Sequence, residues 1–446
     1  MLKTIYILEL KRLLNKKTIG LFLIFSLLSL YFIQIGINNY KNVIENKETF
    51  QNFERLKLKQ YNNYNQYGTY GFRILFIPSP LSIYFVNSST ISELTSNVDS
   101  GERLNIYNSF KGRTLFAEKS GGFKDFSGIM LLLGSLLVLY LGYEAFIHKD
   151  YLRFISGFVD YKIFFFSIVL SRVLNLILFF LFNAGISWVL LKINGIEFLS
   201  SEYIHLSIYI GILVLMMVFF LALGTIAGSF KSSFVGFVMV IISWFVLVFL
   251  IPGIVNTVTA EKSDNIVSNY NLELQKLKSI MDFEKLALKK VGITTENNIE
   301  SVRKLIEKYW NDEFKQIQAF EKRLENEMEK NIRLFQNLSL IFPSTFYLST
   351  SNEISSKGYE NFILFFDYIQ TLKEKFVRFY IDHRYYSDAP VDKPTVVESF
   401  IKGDENLFYA KSLLPKSFFK GVILILFYVI GLLTISYFRL KKSLQL

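Results

Sequence analysis

Glu144 and Arg172 are the ionised side chains with the most chemical consequence, because each interrupts a long apolar run. A charge in hydrocarbon is costly unless it meets a partner or water. Glu144 lies about one helical turn from the end of its run and Arg172 about two to three turns into the next, which predicts an ion pair between neighbouring helices. Such a pair either locks two helices together or lines a gate or substrate path. Asn175 and Asn183, farther along the second run, are expected to hydrogen-bond across helices.

Other reactive groups are scattered. Without cysteine the chain has no disulfide, thiolate metal site or cysteine nucleophile. His148, His205 and His383 are far apart and lack HExxH spacing, so no metal centre is expected. No GxxxxGKS/T phosphate loop occurs, and GSFKSS at Gly228 to Ser233 is a short turn whose spacing cannot cradle a triphosphate. A GxSxG nucleophile elbow is also missing. Carboxylates such as Glu325 and Glu327 read as solvated helix faces. The chain is expected to hold no cofactor and to be no enzyme.

The elements that must position these groups are membrane spans. A chain of 446 residues that is 51% hydrophobic, with 46 Phe and 26 Tyr, is too apolar for an ordinary soluble domain. Its apolar residues cluster in runs of about 20, which cross roughly 30 Å of hydrocarbon. Six spans are read, at 18–37, 127–147, 163–191, 204–228, 233–256 and 417–438. The third is long enough to tilt or extend beyond the bilayer. Around Gly36 the bulky Ile33, Ile35 and Ile37 leave no paired small-residue cleavage site, so the first run is kept as an uncleaved span. The expected fold class is an all-α polytopic membrane protein, with a helical extracytoplasmic domain and a smaller mixed one.

If the amino terminus is cytoplasmic, segments 1–17, 148–162, 229–232 and 439–446 face inward with 5, 3, 1 and 3 Lys or Arg, against Glu9, Asp150 and Asp160. That bias follows the positive-inside rule and puts both termini in the cytoplasm. It also explains the net charge of +11 without invoking nucleic acid. Segments 38–126 and 257–416 then lie outside. Pro78, Pro80, Pro343, Pro390, Pro394 and Pro415 fall in them and Pro252 at the outer end of a span, so no proline breaks the middle of a span. The first outer segment reads as a small mixed domain whose Pro pair implies an extended turn. In the second, Leu305, Tyr309, Ile317, Phe320, Leu324 and Met328 recur at helical spacing, and 263–291 has a similar character. A long helical hairpin is expected there, either simply packed or presenting a binding surface.

Between the second and third spans the chain reads FIHKDYLRFISGFVDYKIFFF, Phe146 to Phe166. It holds too many charges for hydrocarbon, yet Tyr151, Leu152, Ile155 and Phe158 fall on one face of a short helix, with Lys149, Arg153 and Ser156 offset. A helix of this kind lies at the interface, where it binds lipid headgroups or is pushed and pulled by a soluble partner.

This segment resembles the loop between the second and third spans of type 2 ATP-binding-cassette (ABC) exporter permeases, with a pattern of roughly E-R-E-x-G-T-L-R-x-L-L-S-x-P-x-S-R-x-x-I-x-x-x-K. Glu144 matches an acidic position near the end of the second span, Leu152 and Arg153 the Leu-Arg pair, Ser156 the serine, and Asp160 to Lys162 the Ser-Arg neighbourhood. Asp150 and Tyr151 replace Gly-Thr, and Phe158 stands near the usual proline. FKDFSG, Phe123 to Gly128, resembles the family's approach to its second span. LALGTIAGSFKSSFVGFVMVIISWFVLVFLIPGI is similar to its fourth and fifth spans, and MLKTIYILELKRLLNKK to its amino-terminal interfacial helix.

The resemblance implies an exporter subunit of a bacterial plasma (inner) membrane. Asp150, Leu152, Arg153, Ser156 and Asp160 would be its coupling residues, engaging a separate ABC ATPase subunit that holds ATP and Mg. A second permease copy or a paralogue would complete the assembly, and Glu144, Arg172, Asn175 and Asn183 become gating candidates. GTIAG, Gly224 to Gly228, would allow close helix approach. The long outer segments are similar to those of a subgroup with large extracytoplasmic domains. They leave open a mechanotransmitter that moves an extracytoplasmic partner instead of exporting a substrate. A membrane receptor or immunity protein without an ATPase is the reading from another class.

Overall fold

The structure, a computed structural model, describes residues 2–13, 16–85, 95–99, 125–264, 332–385 and 397–444, with isolated positions between 278 and 330. Six of the described helices are long and apolar enough to cross a membrane. The chain is an all-α polytopic membrane protein, as its apolar runs require.

Helix α1 (Leu2–Leu13) precedes α2 (Lys16–Lys59), which holds the first span. The helix does not stop where the apolar run ends near residue 37. At 1.5 Å per residue its 44 residues make a rod of roughly 66 Å, about half of it beyond the hydrocarbon. A short α3 (Tyr64–Tyr70) follows, capped by the Asn63 side chain, then strands β1 (Phe72–Ile77) and β2 (Thr95–Val98). The second span is α4 (Phe126–Ile147), started by Asp125, whose carboxylate accepts the Gly128 N–H at 2.6 Å. Next come the short α5 (Lys149–Ser156) and the spans α6 (Tyr161–Ile193) and α7 (Ser200–Gly228). The fifth span, α8, runs over residues 233–264. Beyond it lie α9 (Pro343–Ile354), α10 (Tyr359–Tyr385), β3 (Leu407–Tyr409) and the last span, α11 (Phe418–Leu444). With six spans among the described residues, α1 and the end of α11 lie at one end of the bundle, called the terminal end, opposite the domain end.

Span α7 is central, packing on α4, α6, α8, α11 and the non-spanning α9. Its tightest neighbour is α4. A Cβ on Gly224 would strike the Leu139 carbonyl oxygen, and one on Gly142 the Leu221 carbonyl, so the two backbones touch where glycine leaves room.

Two spans contain a π turn, at Met130–Gly134 in α4 and Val246–Leu250 in α8. The second explains how Pro252 is tolerated inside a helix. In π register the N–H five residues on would serve the Leu247 carbonyl, and that residue is the proline. Ser344 Oγ fills the gap at 2.6 Å. In the other π turn Trp244 Nε1 donates to the Leu132 carbonyl at 3.0 Å. In hydrocarbon a freed carbonyl must find such a donor.

The two outer segments, expected as separate domains, share one sheet and one core. Strand β1 pairs antiparallel with β2, Phe72 opposite Val98, and parallel with β3, Leu75 opposite Leu407. Phe72, Ile74 and Phe76 pack with Phe366, Phe376 and Ile401 from the second segment. Strands are too short to stand alone, so each segment lacks a core until the other supplies it. Helix α2 reaches into this domain, where the buried Glu54 carboxylate holds the Arg73 side chain at 2.6 Å and its N–H at 3.0 Å. The expected hairpin falls largely outside the described residues; 332–341 are helical.

The domain meets the spans at a joint where α9 passes into α10. Glu353 Oε1 accepts the Tyr359 N–H at 2.8 Å, so the last turn of one helix caps the first turn of the next. Ser356 takes φ = 62°, and its Oγ accepts the Ser79 N–H at 2.7 Å, fastening loop 78–80 to the joint. Burial pushes the Glu353 carboxyl from 4.5 up to about 8, against the opposing pull of the Glu360 N–H. Between those two values the native state keeps a proton that the unfolded chain has released, so stability falls as pH rises through the window and levels off above about 8. Glu353→Gln is expected to flatten that part of the melting temperature profile in a fixed detergent. A slope equal to wild type would refute the assignment.

Candidate functional site

Charged side chains converge at the terminal end, around α1, α5 and the ends of α4, α6 and α7. Arg172 on α6 is 2% exposed. Its Nη1 lies 3.3 Å from Glu144 Oε2 on α4, the pair expected from the sequence. Its Nη2 lies 3.0 Å from Glu9 Oε2 on α1, a partner that was not expected. Glu9 is 1% exposed, and Arg172 Nε is buried without a hydrogen-bond acceptor. One guanidinium therefore bridges two carboxylates from two other helices, its planar fork presenting a separate nitrogen to each.

Arg12 completes the cluster. Its Nη2 donates to the Glu144 carbonyl at 2.6 Å, and its Nη1 lies 3.4 Å from both the Ala145 carbonyl and Glu9 Oε1. A cation on the last carbonyls of α4 satisfies acceptors that have no intrahelical donor and sits at the favourable end of the helix dipole. Glu9 had been read as one of the inward-facing surface charges. The legible signal was its setting, as the lone acid between Leu8 and Leu10 in a segment with five basic residues.

Helix α5 is the short helix expected between the second and third spans. Leu152 is buried among Ala145 and Phe146 of α4, Phe164, Phe165 and Ile168 of α6, and Leu440 of α11. It anchors the helix to three spans. Lys149 Nζ donates to the Gly228 carbonyl at 2.7 Å, capping the end of α7. Burial, reinforced by neighbouring Arg153, pushes that ammonium down to about 8. Arg153 lies 3.9 Å from Asp150 and donates to the Ser443 carbonyl of α11 at 3.5 Å. Tyr151 carries the Arg12 guanidinium over its ring at 5.6 Å.

The expected coupling residues divide by exposure. Asp150 is fully exposed, Arg153 half-exposed, and Leu152 turned inward. Ser156 is the last residue of α5. Asp160 lies past it as the cap of α6, its carboxylate accepting the Lys162 N–H at 2.7 Å. Phe158, expected on one face of the helix with Tyr151, Leu152 and Ile155, lies beyond the helix end and is 72% exposed. It stacks edge-on against Phe154, 68% exposed, with ring centroids 5.2 Å apart. An eight-residue helix cannot hold every apolar residue of the pattern on one face once the chain turns at Gly157.

The asparagines do not bridge helices. Asn183 Nδ2 donates to Phe179 O on its own helix at 2.9 Å, and its Oδ1 is buried without a donor. Asn175 Nδ2 is likewise buried and unpaired. A side-chain amide one turn above a carbonyl satisfies itself locally before it reaches a neighbour.

What this arrangement can do is mechanical. One short helix is tied by named contacts to α1, α4, α6, α7 and α11, and still presents an aromatic pair and an acid outward. Among the described residues no cluster of His, Asp or Glu could hold a metal ion. No family model matches the chain, and comparison with curated proteins and with solved structures gives no match.

Proposed function

We propose that this chain is the membrane subunit of a type 2 ABC exporter in a bacterial plasma membrane, with both termini in the cytoplasm. The observation that carries the reading is α5. It is a separate short helix at the terminal end, wired to the ends of several spans, with Phe154, Phe158 and Asp150 facing outward. A helix held this way converts a push on its exposed face into movement of the bundle. Lysines and arginines concentrated at the terminal end support the cytoplasmic placement. In this reading ATP and Mg are held by a separate ATPase, and a second copy or a paralogue completes the pore or the extrusion surface.

A specific observation favours the mechanotransmitter variant. Helix α2 is unbroken from the first span into the domain, where Glu54 grips Arg73, so any tilt of that span swings the domain. The same drive at α5 would then do work on an extracytoplasmic partner.

Gentle purification of the chain from its native membrane, with mass analysis of co-purifying subunits, tests the reading. A stoichiometric ATPase is expected with wild type. Its recovery should fall about tenfold or more with Phe154→Asp/Phe158→Asp, since each lost aromatic anchor is worth roughly 1–2 kcal/mol at an interface. A clean complex without an ATPase would sink the proposal and favour a receptor.

A further inference from the structure

Spans α4 and α7 are joined at both ends to elements that are not spans. At the terminal end α4 passes through His148 into α5, and Lys149 of α5 donates to the Gly228 carbonyl that ends α7 at 2.7 Å. At the domain end one phenol ties the same two helices together. Ser127 Oγ, at the start of α4, donates to Tyr347 Oη at 2.9 Å, and Tyr209 Oη of α7 lies 3.0 Å from it. All three groups are buried. Between these ends Gly142 and Gly224 let the two backbones touch, and the side chains on either side, Leu139 and Tyr143 with Met217 and Leu221, lie in one packed core that a slide of one helix on the other would disrupt.

Tyr347 belongs to α9, whose last turn holds Glu353, and the Glu353 carboxyl caps the first turn of α10 in the outer domain. The backbone N–H of Leu413 also donates to the Glu353 carbonyl at 3.2 Å, binding the segment that leads into α11. A continuous series of named contacts thus runs from α5 to the domain. Gly228 and Tyr209, its two grips on α7, are 19 residues apart, roughly 28 Å along the helix.

We propose that α4 and α7 move as one rod that carries displacement of α5 to the outer domain, with Lys149 and Tyr347 as the positioning residues that couple its two ends. The proposal takes from the exporter reading only that α5 is the driven element. It adds which spans carry the motion, and where they deliver it. The rival within the fold is α2, which also reaches the domain and whose route from α5 runs through α1, where Arg12 lies over the Tyr151 ring at 5.6 Å.

Spatial continuity alone does not establish coupling, so the test is a double-mutant cycle across the length of the rod. Hydrogen exchange would be followed on the full chain in lipid nanodiscs, at the amides of Tyr359 to Phe362 in the first turn of α10. Lys149→Met and Tyr347→Phe should each speed exchange there by about fivefold. The double variant should be no faster than the quicker single one, because either change already releases the rod. Lys149→Arg, which keeps a donor, should restore the wild-type rate. If Lys149→Met accelerates only the amides near Gly228, or if the two effects multiply in the double variant, the rod is refuted. Should Lys149→Met fail to fold, Lys149→Gln enters the same cycle with the same criteria. No ATPase takes part in this measurement. If the cycle is multiplicative while the separate purification recovers an ATPase, the rod is removed and the exporter reading stays; if the cycle is non-additive while that purification recovers no ATPase, the rod stays and the exporter reading is removed.

Discussion

Arg172→Met is expected to destabilise the bundle by about 3–5 kcal/mol, the usual consequence of removing one partner from a buried ion pair. Glu144 would lose its countercharge, and the Arg12 guanidinium at 3.4 Å would be all that remained to Glu9, which is 1% exposed. Water could reach it only if α1 left the bundle, so the same change should release α1. Arg172→Lys should fall between, because one nitrogen on a shorter stem reaches the two carboxylates less well than Nη1 and Nη2, which hold them separately. The triple change Glu9→Gln/Arg172→Gln/Glu144→Gln should cost less than Arg172→Met alone, since the charge that remains, Arg12, is partly exposed and keeps the Glu144 and Ala145 carbonyls. Thermal unfolding in one detergent, with hydrogen exchange over residues 2–13, reads both effects. If the triple variant proves the less stable, the cluster is held by packing and not by its charges.

Gly224→Leu should be the most damaging change of a single small residue, at about 4 kcal/mol or more. Overpacking usually costs 1–3 kcal/mol because neighbouring side chains can shift. Here the obstacle is the Leu139 carbonyl, part of the α4 hydrogen-bond ladder, with the Tyr143 N–H 2.9 Å from the same point. Neither can retreat without separating the helices. Gly211→Leu is the matched control, on the same helix with open space around it, and should be nearly neutral. Accumulation in membranes and melting temperature of the two variants give the answer. Equal behaviour would mean that α4 and α7 do not approach as closely as described.

Half of the charge cluster was legible in the sequence. Glu144 and Arg172 stand in runs where any charge demands a partner, and nearby ends of consecutive spans bring them together. Glu9 was harder to place, because a carboxylate in an amphipathic helix is ordinarily solvated, and its setting between Leu8 and Leu10 marks it as unusual without naming its partner. Asn183 failed in the opposite direction. Polar residues in spans suggest bridges between helices, but its amide found the Phe179 carbonyl one turn away. The short helix between the second and third spans was expected where α5 stands, whereas the outward aromatic pair depends on where the chain leaves the helix at Gly157.

By itself the sequence determined that this is a six-span helical membrane protein with both ends on one side. That information is local: in hydrocarbon a backbone must satisfy its own polar groups, so each long apolar run must be a helix, and the number of runs sets the parity of the ends. Tertiary structure alone decided which charges meet and which segments form a domain. Glu9 and Arg172 are 163 positions apart, and β1 pairs with a strand more than 300 residues away in the chain. The pairing energy of such contacts exists only after the spans have packed, and no short window of residues carries a trace of it.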